Sequence, residues 1–244
     1  MKLETVRIPA EGATLASLHY VPEGRRKNTA LLYTHGFTSG KTSLDTLAGY
    51  LAGRGYAGLT FDLIGHKLGG TGGEMHRTLQ AAENLRDALT WLRGHVETER
   101  IVLVGHSMGA AAGFQAAAWE RARPGNPPLA GIVSLCMGLE PAVGFESQIG
   151  RAMLAQRRDY VAGAPALELL TGLNTLVLSA AEIGDLPALF LAARQDVLIS
   201  VARVEALAAL AGANASVVVL DAAHLDAPDR SRATIIQWLE AQGL

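Results

Sequence analysis

Short apolar runs alternate with longer segments of helical periodicity along most of the chain. The alternating patterns at residues 6–9 and 14–21 predict an antiparallel hairpin. Further strands are predicted at 30–34, 57–61, 101–104, 129–135, 188–192 and 216–220, and amphipathic helical segments lie at 42–54, 79–93, 108–121, 200–211 and 229–240. Strands that alternate with helices indicate βαβ crossovers. The pattern therefore predicts an α/β protein whose mostly parallel sheet carries helices on both faces.

Residues 141–186 interrupt this alternation. They contain helical stretches near 149–160 and 165–170 and an ambiguous apolar run at 174–178. We interpret the segment as a small cap inserted over one edge of the sheet, since it is too short for a second domain. A chain of 244 residues is compatible with one α/β domain. We therefore expect a single domain over residues 1–244, with the cap at 141–186 inside it.

Composition and charge narrow the class of protein. The 21 basic and 23 acidic side chains give a formal net charge of −2, so the excess of cations typical of nucleic-acid binders is missing. Cys136 is the only cysteine, which excludes an internal disulfide and a multi-thiolate zinc site. Residues 1–7 carry charges where a signal peptide has its apolar run, and uninterrupted apolar runs are too short to span a bilayer. We expect a soluble, cytoplasmic protein without a nucleic-acid partner; its oligomeric state stays open.

Residues 105–109 read GHSMG and match the pattern G-x-S-x-G. They follow the predicted strand 101–104 and precede a predicted helix, which is the context that a nucleophile elbow requires. The sharp turn strains the serine backbone, and side chains at the two flanking glycine positions would collide with the neighbouring strand and helix. The N-terminus of the helix also directs free N–H groups at a developing oxyanion. Ser107 is therefore the predicted nucleophile.

A serine hydroxyl needs a base and an orienting carboxylate, which the elbow architecture places later in the chain in the order acid, then histidine. His224 is the only histidine after Ser107, and it follows the last predicted strand. Asp196 follows the strand 188–192, so its loop faces the same sheet edge as Ser107. These positions predict the triad Ser107, Asp196 and His224.

Three other aspartates compete with Asp196 for the role of the acid. Asp185 precedes the strand and so lies at its wrong end. Asp221 and Asp226 are too close in sequence to His224 to approach its Nδ1 easily. We therefore favour Asp196 over all three.

The oxyanion site is predicted from two loops. In the elbow architecture one N–H comes from the residue after the nucleophile and the other from the loop after an earlier strand. These positions are held by Met108 and by Phe37, which follows the strand 30–34. His35 and His106 are interpreted as ordering and packing residues, because a base at either place would break the triad order.

These ordered motifs resemble those of the α/β-hydrolase superfamily over nearly the whole chain. Within it, residues 35–42 and the short insertion resemble compact serine carboxylesterases of the cinnamoyl/feruloyl esterase and monoacylglycerol lipase type. The resemblance implies a sheet of about eight strands with a cap after the sixth. Many relatives carry Asp-x-x-Gly-His-Gly-x-Ser after the fourth strand, whereas Lys67 stands here in a glycine position and a glycine-rich run follows at 69–73. We interpret that run as a flexible surface loop rather than a substrate contact.

The expected function is hydrolysis of a carboxylic ester with a small to medium acyl group, through an acyl-enzyme and without a cofactor or metal. A thioesterase, an amidase, another acyl-transfer activity on the same triad, and a non-catalytic binding protein with this fold stay open as alternatives. A nucleotide-binding protein is a weaker rival. Gly40, Lys41 and Thr42 resemble the end of a phosphate loop, but His35 occupies the place of its first glycine.

The cap offers candidate pocket residues for a small-molecule ester substrate. The apolar candidates are Phe145, Met153, Leu154, Leu167 and Leu169. Three arginines lie near them in sequence, Arg151, Arg157 and Arg158, and we interpret them as a solvated face.

Overall fold

A computed structural model of the protein describes all residues, 1–244. Its strands are β1 (Lys2–Ala10), β2 (Ala13–Val21), β3 (Thr29–Thr34), β4 (Ala57–Phe61), β5 (Arg100–His106), β6 (Leu129–Leu135), β7 (Ala188–Ala193) and β8 (Ala215–Leu220). Its α-helices are α1 (Asp45–Ala52), α2 (Gln80–His95), α3 (Met108–Ala122), α4 (Gln148–Arg157), α5 (Ala166–Leu176), α6 (Val201–Ala211), α7 (Ala227–Arg230) and α8 (Arg232–Ala241). Short 3-10 helices lie at Lys41–Leu44, Pro141–Glu146, Arg158–Tyr160 and Val177–Glu182. None of these helices has the length and apolar character needed to cross a membrane.

The eight strands form one sheet in the order β1-β2-β4-β3-β5-β6-β7-β8. The pairs β1–β2 and β2–β4 are antiparallel, and all the other neighbouring pairs are parallel. The predicted mostly parallel sheet of about eight strands is therefore confirmed. Because the parallel strands all end at one edge, the loops after β3, β5, β7 and β8 meet there.

Helices cover both faces of the sheet, which explains why the central strands are continuous apolar runs. Every residue of β3 and β7 is buried. Side chains alternate between two cores: Leu32 belongs to a cluster of 43 buried residues with α2, α3 and α6, and Leu31 belongs to a cluster of 23 residues with α1 and α8. The sheet is therefore packed between two cores.

Two predicted elements differ from the observed ones. The helix expected at 165–170 continues to Leu176, so the ambiguous run at 174–178 is helical rather than extended, because Leu169, Leu173 and Leu176 repeat at helical spacing and are all buried. The final helix expected at 229–240 is split into α7 and α8 at Ser231, whose hydroxyl donates to the carbonyl of Pro228 (2.8 Å).

The segment 141–186 follows β6, the sixth strand in the chain, as the resemblance implies. Backbone hydrogen bonds join the middle of this cap to the loop after β4: the N–H of Lys67 donates to the carbonyl of Tyr160 (2.9 Å), and the N–H of Ala162 donates to the carbonyl of Gly65 (2.8 Å). The cap is thus fixed beside the carboxyl edge of the sheet.

Candidate active site

The residues predicted to do chemistry lie on four separate loops at the carboxyl edge of the sheet. Phe37 follows β3, Ser107 follows β5, Asp196 follows β7 and His224 follows β8. Phe37, Ser107 and His224 line the same pocket. The fold therefore brings together side chains that are up to 187 positions apart in sequence.

Ser107 sits on a tight turn between β5 and α3, with φ 53° and ψ −121°. A positive φ is uncommon for a residue with a side chain, so the turn is held by its surroundings. A Cβ on Gly105 would collide with the backbone of Ala110, and one on Gly109 would collide with the carbonyl of Thr34. The serine hydroxyl does not cap α3, which leaves it available to the pocket.

Two backbone N–H groups beside Ser107 lack the acceptors found in regular structure. Met108 is the first residue of α3, and its N–H has no acceptor within the helix. The N–H of Phe37 donates to no backbone carbonyl. The chain preceding Phe37 lies directly against the nucleophile, since a Cβ on Gly36 would be 3.1 Å from the Cβ of Ser107. Two free donors at this place can bind an anionic oxygen.

His224 and Asp196 form a short hydrogen bond, with 2.6 Å between Nδ1 and Oδ2. Oδ1 of Asp196 accepts from the backbone N–H groups of Leu198 (2.8 Å) and Ile199 (3.0 Å), and the carboxylate is fully buried. Burial alone would raise the pKa of Asp196, but His224 and the two backbone donors outweigh it and lower that pKa. An ionised carboxylate can only accept, so His224 donates its Nδ1–H to Asp196, and Nε2 is the ring nitrogen left to act as the acceptor in the neutral imidazole.

The competing aspartates do not reach His224. Asp185 is exposed, and its backbone carbonyl accepts from Asn214 (2.8 Å) before β7 begins. Asp221 accepts from Gln195 (3.0 Å), and Asp226 accepts from the N–H of Ala223 (3.4 Å). Among the four candidates, the geometry pairs Asp196 alone with the histidine.

Two further histidines order the surrounding loops. The Nε2 of His106 donates to the backbone carbonyl of His224 (2.9 Å), and burial, followed by the nearby His224, lowers the pKa of His106 to about 3. His35 is buried between its contacts with the carbonyl of Gly36 (2.8 Å) and the N–H of Leu63 (3.0 Å), and burial lowers its pKa. These contacts match the ordering and packing roles expected for both residues.

Cys136 lies beneath the site at the end of β6. It is fully buried, as expected, but has an unusual φ of 53°. Burial, followed by the charge of Asp196, raises the pKa of its thiol. Potential metal-ligand atoms of Cys136, His106 and His224 lie within 4.8 Å of one another, yet one nitrogen of each histidine already hydrogen-bonds within the protein. We therefore describe this cluster as packing around His224.

A buried ion pair joins Lys41 and Asp62, and no pattern in the sequence predicted it. The Nζ of Lys41 lies 2.6 Å from Asp62 Oδ2, and the backbone N–H groups of Lys41 and Gly70 donate to the same carboxylate at 2.7 Å. Burial would raise the pKa of Asp62, but Lys41 and Gly70 outweigh it and lower that pKa. The side-chain amine and the backbone N–H of Lys41 are therefore both bound to the Asp62 carboxylate.

The same ion pair corrects the interpretation of the glycine-rich run. A Cβ on Gly69 would collide with the Asp62 carboxylate, and Thr71 donates to the carbonyl of Asp62 (2.8 Å). The run lies at the surface and outside the Ser107 pocket, as expected. It is held in place by hydrogen bonds to Asp62. The sequence feature that could have indicated this contact is Asp62, which stands eight positions before Gly70. The backbone N–H of Gly70 donates to the Asp62 carboxylate.

The pocket over Ser107 encloses about 670 Å³, part of which is open to solvent. Its apolar lining is Phe37, Phe145, Met153, Leu154, Leu198, Leu225 and Pro228. Two of the expected lining residues were wrong: Leu167 is exposed, and Leu169 is buried in the core. Arg157, expected on a solvated face, instead lines the pocket.

Comparison with known proteins agrees with this architecture. A model of the alpha/beta hydrolase family matches residues 31–238. A search of curated proteins gave no match. Among solved structures, the Pyrococcus furiosus esterase Pf2001 is similar, with a TM-score of 0.77 and 19% identity over 100% of this chain and 91% of that one. The enzyme Est1E from Butyrivibrio proteoclasticus, solved with ferulic acid bound, has a TM-score of 0.75 and 18% identity over 97% and 98% of the two chains.

The fold is shared beyond esterases. The epoxide hydrolase VrEH1 from Vigna radiata has a TM-score of 0.70 and 15% identity, over 98% of each chain. At such identities the likeness shows the fold, and the chemistry must be argued from the side chains of the site.

Proposed function

The chain belongs to the alpha/beta hydrolase family, and we propose that within it the protein is a serine carboxylesterase. The observation that carries the proposal is the pairing of His224 with the buried Asp196, above a strained Ser107 in the same pocket. No other carboxylate hydrogen-bonds to a histidine of that pocket. The set has the residue types that acyl transfer through a serine requires, in the chain order of the nucleophile-elbow architecture.

In the proposed mechanism, Ser107 attacks the ester carbonyl while His224 Nε2 takes the proton of its hydroxyl. Asp196 fixes the histidine tautomer and stabilises the imidazolium that forms. The N–H groups of Phe37 and Met108 donate to the oxyanion of the tetrahedral intermediate. His224 then protonates the departing alcohol and activates the water that releases the acid, so the chain's own residues suffice for each proton transfer.

The pocket supports a small to medium acyl group. Its walls are mostly apolar, and the cap contributes Phe145, Met153 and Leu154, which close it on one side. The names of the neighbours Pf2001 and Est1E point in the same direction, towards esters. Thioesters and amides would use the same residues, so a substrate panel must decide among the three.

The proposed site also supports a single domain. Its residues run from Phe37 to His224, and the cap at 141–186 supplies part of the pocket wall. We therefore propose that residues 1–244 act as one unit on a small-molecule substrate.

The test is hydrolysis of p-nitrophenyl esters of increasing acyl length, with thioesters and amides alongside. Ser107→Ala should lower kcat/KM by several orders of magnitude. A matched control is Ser43→Ala, which removes another hydroxyl of the pocket, one that donates to the carbonyl of Gly40 (2.9 Å). A fluorophosphonate probe should label Ser107 in the wild-type protein. Equal activity of the Ser107→Ala protein, or no turnover of any acyl substrate, would overturn the proposal.

A further inference from the structure

The pocket over Ser107 contains one permanent charge. Besides the two histidines, its polar lining consists of serine and threonine hydroxyls, backbone groups and the guanidinium of Arg157. No aspartate or glutamate lines it, and the buried Asp196 is already paired with His224. The pocket therefore presents a cation that no acidic side chain of the lining neutralises.

Arg157 is the last residue of α4 in the cap, and its side chain is half-buried. The guanidinium contacts the hydroxyl of Thr38 (3.4 Å) and lies 6.0 Å from the centre of the Tyr160 ring. These contacts are weak, and no carboxylate is within ion-pair distance of Arg157. The adjacent Arg158, in contrast, is exposed and lies 3.6 Å from Asp159.

The position of Arg157 places this charge close to the reacting centre. Thr38, which it contacts, directly follows Phe37, one of the two proposed oxyanion donors. A partly desolvated guanidinium gains more from a carboxylate than an exposed one does, because water screens the pair less. Its planar fork also fits both oxygens of a carboxylate at once.

From this arrangement we propose that Arg157 binds a carboxylate carried by the substrate, so that the enzyme favours esters with one free carboxylate over neutral esters of the same shape. The inference rests on the proposed esterase function and names its substrate class. The carboxylate belongs to either the acyl or the alcohol half of the ester, and the two halves are distinguished by the substrates used.

The experiment measures kcat/KM for two matched substrate pairs by titration of the released acid. In the first pair, the monoester of a linear dicarboxylic acid is compared with the same ester whose carboxylate is replaced by a carboxamide. In the second, the acetyl ester of an ω-hydroxy acid is compared with its carboxamide. The carboxamide preserves shape and removes charge, so the ratio within a pair reports charge recognition alone.

The wild-type enzyme should prefer the carboxylate in one pair by about tenfold to a hundredfold, the range expected for a hydrogen bond to a charged group. Arg157→Gln should reduce that ratio to below about threefold, and Arg157→Lys should restore part of it because the charge remains. Arg158→Gln, the matched control with the same loss of charge, should keep the wild-type ratio. The preference should also weaken with added salt.

Failure of this inference is distinct from failure of the proposed function. Turnover of the neutral esters with no carboxylate preference in either pair, or a preference that survives Arg157→Gln, would overturn the role of Arg157 alone. A wild-type protein that hydrolyses p-nitrophenyl esters but none of these four esters would also overturn the inference alone, whereas one that hydrolyses none of them, p-nitrophenyl esters included, would overturn the esterase proposal and the inference with it.

Discussion

Replacing Asp196 by asparagine should strongly lower kcat/KM, because of the way the asparagine amide group must be oriented in the site. In the native site, Oδ1 accepts from the N–H groups of Leu198 and Ile199, and Oδ2 accepts from His224 Nδ1. An asparagine must keep its oxygen on the two backbone donors, so its NH₂ group takes the place of Oδ2. That donor then faces His224 Nδ1, which favours the tautomer with its proton on Nε2. A histidine protonated on Nε2 cannot accept the proton of Ser107.

The alternative orientation of the amide does not rescue the site. Turning the oxygen towards His224 would aim the NH₂ group at two backbone N–H donors and leave both without an acceptor. Each unmade hydrogen bond costs about 1–3 kcal/mol, or about 2–6 kcal/mol for the two together. The same substitution in a serine-protease triad lowers kcat about ten-thousandfold, so we expect a loss of about a thousandfold to ten-thousandfold for Asp196→Asn. In barrier height this is about 4–5.5 kcal/mol.

Two measurements test this reasoning. Steady-state hydrolysis of a p-nitrophenyl ester gives the loss in kcat/KM, and the ¹⁵N chemical shifts of His224 report which nitrogen carries the proton. Asp185→Asn, an equivalent change at an exposed position before β7, should leave the rate within about twofold of wild type. An Asp196→Asn enzyme within tenfold of wild type, or one whose His224 still carries its proton on Nδ1, would refute the argument.

The remaining predictions concern stability, measured by urea unfolding. Lys41→Met should destabilise the protein by about 3 kcal/mol, because Asp62 is fully buried and would lose its cation. Adding Asp62→Asn should recover part of the lost stability. An unchanged urea midpoint in Lys41→Met would contradict this prediction. Gly113→Ala, inside α3 with no heavy atom within 4 Å of the new Cβ, should stabilise by about 0.5–1 kcal/mol. Burial lowers the pKa of His66 and of His106 to about 3, so the unfolded chain binds more protons between that value and about 6.5. Stability should therefore fall with acidification, by about 2 kcal/mol per histidine between pH 7 and pH 5, and a flat profile there would refute the assignment of both as neutral.

The sequence predicted the positions of the proposed catalytic residues well because the rule that places them is topological. Residues just past the carboxyl ends of parallel strands meet at one sheet edge, however far apart they are in the chain. Recognising the strands before Ser107, Asp196 and His224 was therefore enough to expect the three on one side of the sheet. Errors of one or two residues in strand length did not alter which edge each loop occupies.

Side-chain pairing across loops was not predictable in the same way. Lys41, at the start of a 3-10 helix, and Asp62, after β4, are 21 positions apart, and neither stands in a periodic pattern that indicates its partner. The glycine run after Asp62 was interpreted by its composition, which is typical of a mobile loop. In the structure Gly69 is required for a different reason, because the backbone approaches the Asp62 carboxylate too closely for a side chain to fit there.

In the cap, helical periodicity did not predict which residues line the pocket, and those residues bear on substrate specificity. Helical periodicity places apolar residues on one face of a helix, but it does not say whether that face meets the core or the substrate. Leu169 and Met153 are both apolar cap residues, yet the first packs in the core and the second lines the pocket. For the same reason Arg157 was expected on a solvated face, whereas it lines the pocket. A helix that crosses the mouth of a site turns part of its polar face inward, so Arg157, the proposed carboxylate-binding residue, stands at a position that amphipathic patterning assigns to solvent. The residues of the proposed triad can therefore be located from motifs, whereas the residues that the cap contributes to the pocket depend on how its helices are oriented.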